Sequence, residues 1–410
     1  MISVVIIITS VYLILILSFS YGIIKNNAFG LERKPSIQTF SIIIPFRNEE
    51  IHLWELLNSL VKINYPKNKF ECIFVNDEST DTSVKIIEEF LSKTALNFYV
   101  VKNLRTSSSP KKDAINTAVQ IANFEWIVTT DADCTVPKYW LQLFDEFSKV
   151  NNSVMMVGPV SYNILNTSFL ENFQLLDFLS LQAATLGGFG IKKPFLCNGA
   201  NLAYKKTVFT KLNGFQGNEN IASGDDIFLF EKFYEKYPYR VHFLKSNQAI
   251  VSTKAMKSWK ELIQQRMRWA AKSSSYTLGM GKFVGIIVLL MNLAFIICLV
   301  GLFNDQVNTH YYFYCMLLKF LVDFIVIKQI AVSYHSNSKK IIFMLFFTII
   351  NHFLEIKKWK TLTKRVKNNS WFEATEQSLA SLTFSIITPN RIGEYGAKVL
   401  YYPNNKRKSI

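Results

Sequence analysis

The chain has 410 residues, room for two or three domains, and half of them are hydrophobic; with a mean hydropathy of +0.16 this argues against a wholly soluble protein. Its formal charge of +16 comes from lysines and arginines spread along the whole chain, many of them beside apolar runs, so a membrane surface is expected as partner and nucleic acid is not. Cys72, Cys134, Cys197, Cys298 and Cys315 form no C-x-x-C pair and support neither a disulfide framework nor a zinc site.

Residues 1–24 carry no charged side chain and are long enough to cross a bilayer, which takes about 20 apolar residues. They lack the basic start and small-residue cleavage site of a signal peptide, so a retained transmembrane anchor is expected. Lys25, Arg33 and Lys34 follow the segment while nothing basic precedes it. By the positive-inside rule what comes next is cytoplasmic, as at a bacterial inner membrane, and the amino terminus is outside.

Over residues 40–257 short β-rich runs alternate with amphipathic stretches: SIIIP, ECIFVND, LNFYVVKN, EWIVTTDAD and SVMMVGPV, with IHLWELLNSLVKI and SVKIIEEFLSKT between them. Continuous Ile and Val predict strands buried on both faces, as in a parallel sheet covered by helices. The apolar spacing of the intervening segments predicts helices. Ligands are then expected at the carboxyl ends of the strands.

Residues 258–282 begin with SWKELIQQRMRWAA, the pattern of a basic amphipathic helix lying on an anionic surface. Residues 283–356 are expected to be a membrane region of two or three helices. Its first stretch, 283–303, reads as a span, and the second, 311–332, contains Lys319 and Asp323 one helical turn apart, placed to pair. The third, 341–356, is short for a span, and its basic flank favours a re-entrant or interfacial element. Residues 357–410 form a basic tail.

Three strand ends carry polar loops. Pro45-Phe46-Arg47-Asn48-Glu49-Glu50 follows SIII, Asn76-Asp77-Glu78-Ser79-Thr80-Asp81 follows ECIFV, and Asp131-Ala132-Asp133 closes EWIVTT. A D-x-D after a buried strand suits Mg2+ or Mn2+, which take carboxylate and phosphate oxygens, although a turn or helix cap would look the same. Ser79 or Asp81 equally suits an N-cap. Gly224-Asp225-Asp226 precedes a helical run where an ordinary cap would also sit. Gln265-Arg266-Met267-Arg268-Trp269 offers guanidinium, amide and indole groups that suit a diphosphate and a sugar ring, or simply a surface helix.

In this order the set P-x-R-N-E, N-D-x-S-x-D, K-x-x-A-I-N at residues 111–116, D-A-D, G-D-D and Q-x-x-R-W resembles the inverting family 2 glycosyltransferases, the group of cellulose, chitin and hyaluronan synthases. The resemblance covers residues 40–269 and implies an α/β GT-A fold with amino- and carboxyl-terminal transmembrane helices. It implies a nucleotide-sugar donor, expected to be a UDP-sugar, a glycan or lipid-linked acceptor, and membrane lipid as surroundings. Asp77 matches the aspartate that holds base and ribose, with Pro45, Arg47 and Glu49 shaping its pocket. Lys111 would face the diphosphate; Asp131 and Asp133 match the D-x-D, Asp131 on the nucleotide-sugar side and Asp133 as the carboxylate that would ligate the metal. Asp226 matches the catalytic base, and Gln265, Arg268 and Trp269 the acceptor and diphosphate motif, with residues 195–201 (FLCNGAN) on the acceptor side. The alternatives are single-sugar transfer to a polyprenyl phosphate or membrane lipid, and a non-catalytic membrane scaffold. Asn76 and Glu78 stand where many members have Asp and Gly, and Asp225 where Glu is usual, departures that bear on the base and sugar recognised. Residues 388–396 (TPNRIGEYG) resemble a fragment of flippase-like membrane proteins related to lysylphosphatidylglycerol synthases.

Overall fold

The computed structural model describes residues 2–164, 168–217, 224–273, 279–303 and 309–334, with single positions between 357 and 377. Two compact units are present, one from residues 15–286 and 325–335, the other from residues 1–14, 287–324 and 336–410.

The larger unit is built on a seven-stranded sheet. Its strands are β1 (Phe40–Phe46), β2 (Phe70–Asn76), β3 (Phe98–Lys102), β4 (Trp126–Thr129), β5 (Met155–Val157), β7 (Leu202–Lys205) and β8 (Val241–Phe243), in the spatial order β3-β2-β1-β4-β7-β5-β8, while β6 (Val160–Asn163) and β9 (Val251–Lys254) form a separate pair. All five strands read from sequence are present. Ile42, Ile43 and Ile44 of β1 and Ile73, Phe74 and Val75 of β2 are fully buried, as strands covered on both faces require. Each such side chain stabilises the fold by roughly 1.5–3 kcal/mol relative to exposure. The expectation of a parallel sheet needs one correction, since β7 runs antiparallel to both β4 and β5. Burial on both faces dictates apolar composition but not strand direction, so LAYK gives no sign of it.

The helices are α1 (Ile2–Lys25), α2 (Leu53–Val61), α3 (Ser83–Leu91), α4 (Pro110–Ile121), α5 (Trp140–Asn151), α6 (Phe169–Gly190), α7 (Lys206–Lys211), α8 (Asp225–Lys236), α9 (Trp259–Ser273), α10 (Gly279–Phe303) and α11 (Thr309–Tyr334). α2 buries Leu53, Leu56, Leu57 and Leu60, the i, i+3, i+4, i+7 stripe of a core-facing helix. α4 starts with Pro110 in its first turn, where the missing N–H costs nothing.

Within this unit the carboxyl-terminal half of α1 is fastened to α6. A Cβ on Gly22 would come within 2.2 Å of the Gly187 carbonyl oxygen, and one on Gly190 within 1.9 Å of the Gly22 oxygen, so only glycine permits the backbones to meet. Phe19 stacks on Phe195 at 5.8 Å, and the Lys245 ammonium donates to the Ile23 and Asn26 carbonyls at 2.8 Å, capping the helix end. Residues 32–38 are then strapped to α5, because the Glu146 carboxylate accepts from the Glu32 and Lys34 amides and that of Asp145 from Ile37 and Gln38.

Ser3–Lys25 is the one helix among the described residues long and apolar enough to cross a membrane, and Gly279–Phe295 is a shorter apolar helix. In the smaller unit Lys319 and Asp323 pair at 2.7 Å as their spacing predicts, and the Tyr12 hydroxyl donates to Asp323 at 2.6 Å. The stretch 341–356 and the tail segment 388–396 lie outside the described residues.

Candidate active site

The register of the parallel strands sets the site. Phe46 lies opposite Asn76 and Asn76 opposite Lys102, so residues 47, 77 and 103 leave adjacent strands side by side at their carboxyl ends. The first two loops interlock. Asn48 and Glu78 take positive φ, 55° and 58°, and the Asn48 amide donates to Ser79 Oγ at 3.1 Å while its side-chain oxygen accepts from the Thr80 amide at 2.8 Å. Asp81 accepts from the amides of Glu50 and Ser83. The N-cap of α3 is Thr82, which makes no side-chain capping bond, so neither Ser79 nor Asp81 is the cap; Asp81, one residue earlier, instead ties the two loops together.

Asp77 sits at the centre of this end, its side chain 12 % exposed. One carboxylate oxygen accepts from Asn103 Nδ2 and Arg105 Nε, both at 2.7 Å, and the other lies 3.9 Å from Arg47. Arg105 also pairs with Glu78 at 2.9 Å. Burial works against the charge on Asp77, but Arg105, Asn103 and Arg47 outweigh it and hold the carboxyl below its ordinary value. Sequence reading missed Arg105 and Asn103. Their signal is position alone: they follow the strand that pairs with β2.

At the end of β4, Asp131, Asp133 and Cys134 place one ligand atom each within 4.8 Å of the others. Lys111, in the first turn of α4, pairs with Asp131 at 2.6 Å and lies 3.6 Å from Asp225. Burial opposes its charge, yet Asp131 and Asp225 keep the ammonium well above its usual value. Asp133 accepts from Thr253 Oγ1 at 3.2 Å and is pushed up by burial and by Asp131. Glu49 is pushed up to about 7 by burial and then by the fields of Asp133, Asp131 and Asp81. This much unbalanced negative charge suits a cation. The Cys134 thiol is pushed well up by burial and by the aspartates and stays protonated, which leaves a hard carboxylate set fitting Mg2+ or Mn2+.

Beside this group lies a cavity of about 400 Å3. It is lined by Lys111, Asp131, Asp133, Asp225 and Asp226, and by Gln265 and Trp269 of α9. Asp226 stands in the first turn of α8, and its carboxylate accepts from the Gly199 amide at 3.1 Å and the Ile227 amide at 2.9 Å. A Cβ on Gly199 would be 3.3 Å from Asp226 Cβ, so the absence of a side chain permits this approach. The Gly199 carbonyl in turn accepts from Thr129 Oγ1 at 2.6 Å, which ties the segment to β4. Leu196, Cys197 and Asn198 of the FLCNGAN run also line the cavity. The structure thus brings together Lys111, Asp131, Asp133, Asp226, Gln265 and Trp269. Pro45, Arg47, Glu49 and Asp77 lie outside the cavity lining, at the ends of β1 and β2. Arg268 is exposed and lines no part of the cavity.

A mixed α/β sheet with acidic loops at its strand ends is what a GT-A fold requires. The profile for glycosyl transferase family 2 matches residues 41–209, and that for glycosyl transferase family group 2 matches residues 126–350, more than half the chain. The chain belongs to this glycosyl transferase family. It is 27 % identical over 245 residues to the probable glycosyltransferase YdaM of Bacillus subtilis, 58 % of this chain and 56 % of that one. It is 37 % identical over 103 residues to the poly(ribitol-phosphate) β-N-acetylglucosaminyltransferase TarS of Staphylococcus aureus, 25 % of this chain and 18 % of that one. To the β-monoglucosyldiacylglycerol synthase of a Nostoc species it is 23 % identical over 244 residues, 58 % and 50 % of the two. The chain spans about half the length of the first and third of these relatives and 18 % of TarS.

If the ends of β1, β2 and β3 hold a uridine nucleotide, as proposed below, Arg105→Ala is expected to weaken its binding by ~10-fold or more, since a charge-assisted hydrogen bond to the buried Asp77 is worth about 1.5–3 kcal/mol. Calorimetric titration with UDP measures this directly. Unchanged affinity would remove Arg105 from the nucleotide end.

Proposed function

We propose that the chain transfers a sugar from a nucleotide-sugar donor, a UDP-sugar, to a glycan or lipid-linked acceptor with inversion, at the cytoplasmic face of a membrane. The observation that carries this reading is the placing of Asp226, the Lys111–Asp131 pair and Asp133 around one cavity, with Asp77 and Arg105 at the adjoining strand ends.

In this reading Asp77 and Arg105, with Pro45, Arg47 and Glu49 around them, hold the nucleoside, and Lys111 meets the diphosphate. Asp133, with Asp131, would hold Mg2+ or Mn2+, whose chemistry is to neutralise charge on the departing diphosphate. The acceptor hydroxyl forms its bond to the anomeric carbon as the bond from that carbon to the diphosphate oxygen breaks. Asp226 takes the hydroxyl proton and the nucleoside diphosphate leaves with the bonding pair. Gln265 and Trp269 orient the acceptor, the indole presenting a flat apolar face to a sugar ring. The domain plan keeps an anchor at residues 1–24, a catalytic domain at 40–257, an interfacial segment at 258–282 and a membrane region from 283.

A second reading, one sugar added to a membrane lipid, draws on the apolar part of the cavity lining, Val160, Phe178, Leu181 and Leu196, and on the likeness to a β-monoglucosyldiacylglycerol synthase. Membranes carrying the chain, given a panel of nucleotide sugars with Mn2+ or Mg2+, are expected to release nucleoside diphosphate from one donor and to stop when chelator is added. Sugars counted per acceptor then separate chain growth from single transfer. Release that ignores chelator would sink the metal assignment, and no release from any donor the transferase reading.

A further inference from the structure

The buried face of α9 is written at positions i, i+3, i+4 and i+7 as Leu262, Gln265, Arg266 and Trp269, a spacing that places all four on one side of a helix. Leu262 is 3 % exposed, and Gln265 and Trp269 reach the cavity. Arg266 is held between them. Its guanidinium donates to Asp177 of α6 through Nε at 2.8 Å and pairs with it through Nη2 at 2.6 Å. Nη1 donates to the Gln265 side-chain oxygen at 2.7 Å. The guanidinium carbon stands 4.2 Å from the centroid of the Trp269 ring, whose centroid is 6.4 Å from that of Phe178. Arg268 falls off this face and is exposed.

We propose that Arg266, rather than Arg268, is the arginine that positions the acceptor end of the cavity. Clamped to Asp177, it lies over one side of the Trp269 indole and fixes the Gln265 amide, so the two side chains that face the acceptor are held by one guanidinium. The inference rests on the transferase reading for its consequence in turnover, but not for its geometry. Arg266 is a positioning residue acting through Trp269 and Gln265. The planar fork suits this double duty, since it can bridge a carboxylate and stack on a ring at once, which an ammonium cannot.

The test uses the full chain in membranes or detergent, labelled with 5-fluorotryptophan, with the Trp269 resonance assigned by its loss in Trp269→Phe. Arg266→Gln and Asp177→Asn are each expected to shift that resonance and to lower kcat for UDP release by ~10-fold or more, because small misplacements at a reacting centre are costly. The KM for the UDP-sugar donor should stay within about threefold, since the donor's nucleotide is held elsewhere. Arg266→Lys, which keeps charge without stacking, is expected to fall between wild type and Arg266→Gln and keeps the test open if the glutamine variant does not fold. Arg268→Gln should lower kcat less than Arg266→Gln and leave the Trp269 resonance in place. Equal or larger effects from Arg268→Gln, or an unmoved resonance in Arg266→Gln and Arg266→Lys, would overturn the assignment. Wild-type membranes that release no UDP would count against the transferase reading alone, because the fluorine resonances still decide whether Arg266 holds Trp269.

Discussion

Asp226→Asn is expected to lower sugar transfer by ~1000-fold, the scale at which a general base contributes, while UDP affinity changes by less than about twofold. The carboxylate lines the cavity and is held by two backbone N–H groups, those of Gly199 and Ile227. An asparagine fits the same space but cannot take up a proton, and its amide would turn a donor toward one of those N–H groups. In the proposed reading the chemical step is lost while the nucleotide end, at the ends of β1, β2 and β3, is untouched. Single-turnover measurement of UDP release alongside calorimetric UDP binding separates the two. Turnover near the wild-type rate would move the base to another residue, and lost UDP binding would mean that the variant disturbs the whole cleft.

Asp133→Ala is expected to be comparably severe, with Mn2+ affinity and metal-dependent turnover each down by ~100-fold or more, since charge stabilisation by a bound metal is worth several kcal/mol. Its signature differs from that of a folding defect. Asp133 is pushed up by burial and by Asp131, and Glu49 by burial, Asp133 and Asp131, so the apo cluster is repulsive. Removing one carboxylate relieves that repulsion, and the melting temperature without metal should hold or rise. Spectroscopic titration with Mn2+ reads the affinity independently of activity. Wild-type Mn2+ binding in the variant would sink the assignment.

How much was legible in the sequence follows from which forces act locally. SIII and ECIFV announce buried strands because apolar runs are the direct cost of burial on two faces. The loops after them are legible because a strand end is where a chain turns and exposes polar groups. The antiparallel course of β7 is not, since pairing direction is decided by the neighbours it slots between. Arg105 was missed for a similar reason: NLRTSSS is an ordinary polar loop until β3 is laid against β2. Asp177 lies 89 residues from Arg266, and no spacing rule connects them. The phase of α9 decides which arginine turns inward, and that phase is fixed by what α6 offers opposite.

The meeting of Gly22 with Gly187 and Gly190 also joins α1 to the cavity wall with no linker between them. α6 carries Phe178, Leu181, Gln182 and Thr185 into the cavity, so the helix proposed to cross the bilayer touches the same rod that walls the reaction space. The stretch from Glu32 to Gln38 is pinned along α5 and so does not serve as a slack tether. If α1 crosses the bilayer as proposed, its carboxyl-terminal half joins the cavity wall directly rather than through a slack tether, and an acceptor has to bring its hydroxyl to that wall, whichever sugar is carried.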